Sequence, residues 1–265
     1  MRLKFAANLS FLFQEQGSLL ERYAAAKAAG FRAVECAFPY EHSVDEVVKA
    51  KDEAGVEQVL INSVPGNLSK DELGTAALPG REDSFLSGIE TSIKYAKALN
   101  CSRIHIMAGK APRTFYDAAM NDCYLENLKA ATNRFSEENI TGLIEPINQA
   151  SVSYYFLHEF ETALGVIKKV DSPNLKLQVD VFHLQKICGN ITSHLTEWMP
   201  LIGHIQVAQV PDRHEPNSSG EINFRYLFNL LEKLEYDGWI GCEYKPSTSD
   251  SAASLSWVEE YGLQL

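Results

Sequence analysis

Four oxygen-bearing side chains each close a short apolar run: Glu145 in L-I-E-P-I-N, Asp180 in L-Q-V-D-V-F-H, Gln206 in H-I-Q-V-A-Q and Glu243 in G-C-E-Y-K-P. They are separated by 35, 26 and 37 residues, close to the roughly 30 residues of one strand-and-helix unit in a β/α barrel of about 250. Side chains at the C-terminal ends of such strands converge on one face. Three carboxylates gathered among apolar strands repel one another and lose their hydration unless a cation neutralises them. Three acids and one amide form an all-oxygen set that suits Mg2+ or Mn2+, whereas zinc recruits His or Cys. Taken singly, each acid reads equally well as half of an ion pair or a cap on the next helix. The series of four favours a metal.

Two more residues stand a short step beyond these positions. His183 follows Asp180 by three residues, and Arg213 lies in V-P-D-R-H-E after the run carrying Gln206. An arginine fork matches a carboxylate, and an imidazole can donate to a developing oxyanion. Plainer roles compete: a satisfied loop histidine for His183, and a surface ion pair with Asp212 or Glu215 for Arg213. His105, inside an apolar run, suits a core as well as a barrel mouth. Lys245, two residues past Glu243, reads as a solvated lysine rather than a Schiff-base amine. The segment Gly109-Lys110-Ala111-Pro112-Arg113 lacks the glycine spacing of a phosphate-binding loop.

The elements that must position these groups are legible as alternation. Strand-like runs fall at Leu3–Leu9, Ala33–Ala37, Gln58–Ile61, Arg103–Met107, Thr141–Glu145, Lys176–Val181, His204–Ala208 and Trp239–Tyr244. Helical periodicity fills Leu19–Ala29, Val44–Ala54, Ser84–Leu99, Cys123–Glu138, Glu159–Val170, Thr192–Met199 and Phe224–Leu234, with a last stretch near Ser254–Tyr261. Strict alternation implies parallel strands with crossover helices. Gly30, Gly55 and Asp171-Ser172-Pro173-Asn174 stop helices where that scheme needs it. The long connections, Asn62–Arg81, Gly109–Phe115 and Pro211–Glu221, all follow strands, as on the active face of a barrel. The chain therefore reads as α/β, a single (β/α)8 TIM barrel over residues 1–265. A doubly wound open sheet is the other topology, but no G-x-G-x-x-G follows the first strand.

Composition sets outer limits. The 265 residues are 45% hydrophobic and 22% charged, with a net charge of −11, an ordinary globular balance. An acidic surface without a basic run argues against nucleic acid. No apolar stretch is long enough for a membrane span or signal peptide, so a cytoplasmic location is expected. The five cysteines are odd in number, scattered and free of C-x-x-C pairs, which suits reduced thiols. Oligomeric state is not legible; a homo-oligomer is compatible with everything above.

At these motifs, L-I-E-P-I-N, V-D-V-F-H, Q-V-A-Q-V-P-D-R-H-E-P and G-C-E-Y-K-P, the sequence resembles the hydroxypyruvate isomerase family of xylose-isomerase-like barrels. The similarity runs from A-A-N-L-S-F-L-F near the start to G-C-E-Y-K-P near the end. The resemblance implies a metal held by Glu145, Asp180, Gln206 and Glu243, with Glu145 and Glu243 as the proton-transferring pair and His183 and Arg213 on a small 2-oxo or hydroxy acid. It implies interconversion of hydroxypyruvate and 2-hydroxy-3-oxopropanoate through a cis-enediolate. Two rivals stand beside it. A ketose 3-epimerase or other sugar isomerase would use the same machinery, although those epimerases resemble one another in placing His where this chain has Gln206. A type IV apurinic endonuclease resembles it in Asp180-x-x-His183 and Asp212 to Glu215, but needs more histidines and a less acidic surface.

Overall fold

The structure of the protein, a computed structural model, describes residues 2–111 and 118–265. Eight strands form a closed barrel in the order β1-β2-β3-β4-β5-β6-β7-β8. They are β1 Lys4–Asn8, β2 Ala33–Cys36, β3 Glu57–Asn62, β4 Arg103–His105, β5 Thr141–Ile144, β6 Leu175–Asp180, β7 Ile202–Val207 and β8 Trp239–Cys242. Every strand pairing described is parallel. Most strand residues are buried, as expected of a parallel sheet covered on both faces. The expected (β/α)8 barrel is the fold of the chain.

The helices are α1 Leu19–Ala28, α2 Val44–Ala54, α3 Glu82–Ala98, α4 Ala118–Glu137, α5 Phe160–Val170, α6 Val181–Ile187, α7 Ile191–Trp198, α8 Phe224–Lys233 and α9 Ser256–Glu260. Their ends follow from local chemistry. Ser18 with Glu21, and Ser43 with Glu46, form capping boxes at the starts of α1 and α2. Gly55 ends α2 at φ 65°, and Asp171 ends α5 at φ 51°, left-handed positions that favour Gly and tolerate Asp. Among the described residues no helix is long and apolar enough to cross a membrane. All five cysteines are free thiols, with Cys36, Cys101 and Cys242 buried.

Chain compactness defines two units, residues 1–59 with 179–265, and residues 60–178. In the first, β1 is flanked by β2 and β8, with Asn8 opposite Glu35 and Ala7 opposite Cys242, and β8 also pairs β7, with Gly241 opposite Gln206. Phe5 of β1 meets Phe228 of α8 and Trp257 of α9 edge-on, at centroid distances of 5.4 and 5.1 Å. In the second, β4 pairs β3 and β5, and β5 pairs the start of β6, while α3 packs on α4 and α4 on α5.

Two departures from the sequence reading matter to the site. Expected strands at Arg103–Met107, Thr141–Glu145, Lys176–Val181, His204–Ala208 and Trp239–Tyr244 end one or two residues early, so Glu145 and Glu243 stand just past the ladder. No helix was expected directly after β6, yet α6 begins at Val181. The Asp180 carboxylate accepts the Phe182 amide at 2.8 Å, and this N-cap turns an apolar run out of the strand. The expected connection Gly109–Phe115 is described to Ala111; Pro112 and Arg113 lie outside the described residues.

Candidate active site

Asp180, Arg213 and Glu243 come together in the first unit. One Arg213 nitrogen, Nη2, donates to Asp180 Oδ2 and to Glu243 Oε2, both at 2.8 Å. The guanidinium lies between two aromatic faces, 4.7 Å from the Phe11 ring centroid and 4.8 Å from that of Phe182. Its backbone is left-handed, φ 62°, and is braced on both sides: Arg213 N donates to Gln209 O, and Arg213 O accepts Lys245 N at 2.7 Å. Gln209 in turn clamps the loop, its Nε2 donating to Ile222 O and its Oε1 accepting Ile222 N, each at 2.9 Å. A non-glycine residue held left-handed by such bracing marks a position where placement of the side chain matters.

Burial raises both carboxyls of the pair. Glu243 is pushed up to about 8, first by burial and then by the negative charges of Asp180 and Glu35, against the pull of Arg213. Asp180 is raised by burial, with Arg213, the Phe182 amide and a hydrogen bond to Glu243 opposing. Two acids on one cation thus share a proton most readily. His183 is buried on α6, its Nε2 3.5 Å from Asp180 Oδ2, so it stands on a helix and not in a loop.

Gln206 is anchored elsewhere in the same unit. Its Nε2 donates to Glu35 Oε1 at 2.7 Å; Asn8 Nδ2 donates to the same oxygen at 2.8 Å, and His204 Nε2 meets Oε2 at 2.6 Å. Glu35 is fully buried. In the sequence it is visible only as a lone acid inside A-V-E-C-A, a signal no stronger than many structural ion pairs give. Glu145 belongs to the second unit, just past β5. It is 5% exposed, accepts Gln178 Nε2 at 3.0 Å and lies 3.4 Å from His105 Nδ1. His105 is thus buried against an acid rather than in apolar core alone.

The remaining candidates separate out. Glu215 accepts Ser247 N and Oγ, while Arg213 is engaged with Asp180 and Glu243. Lys245 is exposed and lines a cavity of about 490 Å³ with Ser10, Phe11, Gln14, Glu15 and Thr248. Glu15 there is tied to Ser251.

The donor chemistry bears on a metal. Asp180 and Glu35 are buried and Glu243 half-buried, Arg213 is the cation bound to Asp180 and Glu243, and the buried Gln206 adds an amide. An excess of buried negative charge presented by oxygens fits a hard divalent ion.

The family described as xylose isomerase-like TIM barrel matches residues 23–261. The chain is 45% identical to the 2-oxo-tetronate isomerase of Cupriavidus necator, over 97% of this chain and 98% of that one. It is 40% identical to the hydroxypyruvate isomerase of Escherichia coli, over 98% and 99%. A crystal structure from Brucella melitensis, described as an AP endonuclease, family 2, superposes with a TM-score of 0.93 at 37% identity, covering 98% of this chain and 99% of that one.

Proposed function

The chain belongs to the hydroxypyruvate isomerase family of xylose isomerase-like TIM barrels and is an isomerase; from that premise we propose that it interconverts hydroxypyruvate and 2-hydroxy-3-oxopropanoate through a cis-enediolate. The observation that carries this reading is the acid cluster built on one arginine, Asp180 and Glu243 on Arg213 Nη2. We assign Glu145, just past β5, Asp180, at the end of β6, Gln206 of β7 and Glu243, just past β8, as the ligands of Mg2+ or Mn2+. When bound, the ion supplies Lewis-acid polarisation of the substrate's carbonyl and neighbouring hydroxyl.

The chain's own groups account for the rest. Of Glu145 and Glu243, one removes the proton from the carbon next to the carbonyl and the other returns a proton to the neighbouring carbon. His183 donates to the oxyanion that develops between these steps. Arg213, immobilised between Phe11 and Phe182, orients the carboxylate end of the substrate, a group that a neutral sugar lacks.

A second substrate is favoured by the 45% identity to a 2-oxo-tetronate isomerase. That acid presents the same carboxylate and 2-oxo group with a longer hydroxylated tail, and the cavity beside Phe11 offers Ser10, Gln14 and Lys245 to it. Proton exchange decides the matter. The Mn2+-loaded protein in D2O with hydroxypyruvate is expected to place deuterium on the hydroxymethyl carbon and to form an aldehyde, both seen by NMR and both lost in Glu243→Gln. Turnover of 2-oxo-tetronate alone assigns the longer acid, turnover of C4 to C6 ketoses assigns the sugar epimerase reading, and cleavage of abasic DNA with no exchange in any of these acids would overturn the proposal.

A further inference from the structure

We infer that Glu35 is a positioning residue for Gln206: it fixes the sense of the Gln206 amide and polarises it, so that a neutral side chain serves as a competent metal ligand. The inference rests on the assignment of Gln206 as a ligand in the proposed function.

Glu35 is a fully buried acid on β2 whose partners are two amides and an imidazole. Among the described residues no lysine or arginine pairs with it. Both amides approach as donors, the arrangement that suits a carboxylate acting only as acceptor. His204 Nδ1 is buried without a hydrogen-bond partner, and the other ring nitrogen, Nε2, is the one that faces Glu35 Oε2 at 2.6 Å. Glu35 Oε1 lies 2.7 Å from Gln206 Nε2, so the field of the carboxylate falls on that amide.

The route of that carboxylate is built into the strands. Glu35 lies on β2, Gln206 on β7, and between them run β1 and β8. Gly241 of β8 stands opposite both Ala6 and Gln206. A Cβ on Gly241 would lie 2.4 Å from Glu35 Oε1 and 2.5 Å from Oε2, so the carboxylate passes directly over the β8 backbone at the one position that has no side chain. There it takes the nitrogen end of the amide, turning the oxygen end to the opposite side. An amide whose N–H donates to an anion has a more negative oxygen and a fixed orientation, the same service that carboxylates render to ligating histidines.

Glu35→Gln removes the charge with little change of shape. The new amide can keep its oxygen on Asn8 and Gln206 and turn its nitrogen to His204 Nε2. The test is a double-mutant cycle in Mn2+ affinity, read as free Mn2+ by EPR on chelator-stripped protein, with far-UV circular dichroism to verify folding. Wild type, Glu35→Gln, Gln206→Ala and the double variant are compared. Glu35→Gln is expected to weaken Mn2+ binding about 10- to 100-fold, but to change it by less than about 3-fold once Gln206 is Ala. If Glu35→Gln does not fold, Glu35→Asp, which keeps the charge but withdraws it from Gln206, is read through the same cycle with the same expectation. Equal losses in both backgrounds, or a loss below 3-fold with Gln206 present, would overturn the positioning role. Failure of the wild type to bind Mn2+ would instead overturn the metal assignment, and is seen before any variant is compared.

Discussion

Gly241→Ala tests the packing of the acid network with a single methyl group. The added Cβ would stand 2.4, 2.5 and 2.6 Å from Oε1, Oε2 and Cδ of Glu35, well inside van der Waals contact. The β8 backbone cannot retreat easily, because Gly241 is paired with Ala6 on one side and Gln206 on the other. The carboxylate must move, and it is held by Asn8, Gln206 and His204. Overpacking a core costs about 1–3 kcal/mol, and each hydrogen bond lost to a charged acceptor about 1.5–3 kcal/mol. Losing even one of the three makes the total about 3–6 kcal/mol. At about 2–4 °C per kcal/mol for a chain of this size, the melting temperature should fall by about 6–24 °C. Gly165→Ala in α5 is the control: a Cβ there meets nothing within 4 Å, and helical Ala replaces Gly with a gain of about 0.5–1 kcal/mol. Both variants are melted by circular dichroism after removal of metal. A Gly241→Ala melting point within 2 °C of wild type would refute the account of Glu35 passing over β8.

Other consequences are open to measurement. Because the Glu243 carboxyl is raised from 4.5 to about 8 in the metal-free fold, its contribution to stability is complete below about pH 4.5 and is lost as pH rises towards 8. The slope is on the order of 1.4 kcal/mol per pH unit; chelator-treated wild type should lose stability relative to Glu243→Gln over that window, and parallel profiles would contradict the shift. Metal binding near pH 6–7 should release that proton, so calorimetric heats should depend on the buffer's ionisation enthalpy; buffer-independent heats would argue that Glu243 is already ionised. Arg213→Ala leaves Asp180 and Glu243 without their cation, and at pH 8 the metal-free variant should lose about 3–5 kcal/mol, part of it restored by saturating Mn2+; an equal gap with and without Mn2+ would separate Arg213 from the metal site. Ser43→Ala removes one half of a capping box at α2 and should cost about 1 kcal/mol while leaving turnover unchanged, as measured by parallel denaturation and kinetic assays.

Periodicity determined the alternation of parallel strands and crossover helices, because two-residue and 3.6-residue patterns depend only on neighbours along the chain. All eight strands overlap their expected runs, and α2 matches its expected bounds at Val44–Ala54. The acids at strand ends were equally legible, since a carboxylate closing an apolar run stands out by composition. What a residue touches across the fold was not. The sequence offered Asp212 and Glu215 as neighbours for Arg213, yet the guanidinium reaches Asp180 and Glu243, 33 and 30 residues away. It gave Glu35 no role, because a single acid in a strand says nothing about the residues 27 and 171 positions distant that donate to it. Nor did it reveal α6, whose apolar sequence continues the strand and turns only because Asp180 caps it. Local pattern specifies the elements and offers the candidate ligands; strand register, loop bracing and the missing side chain at Gly241 decide which charges meet.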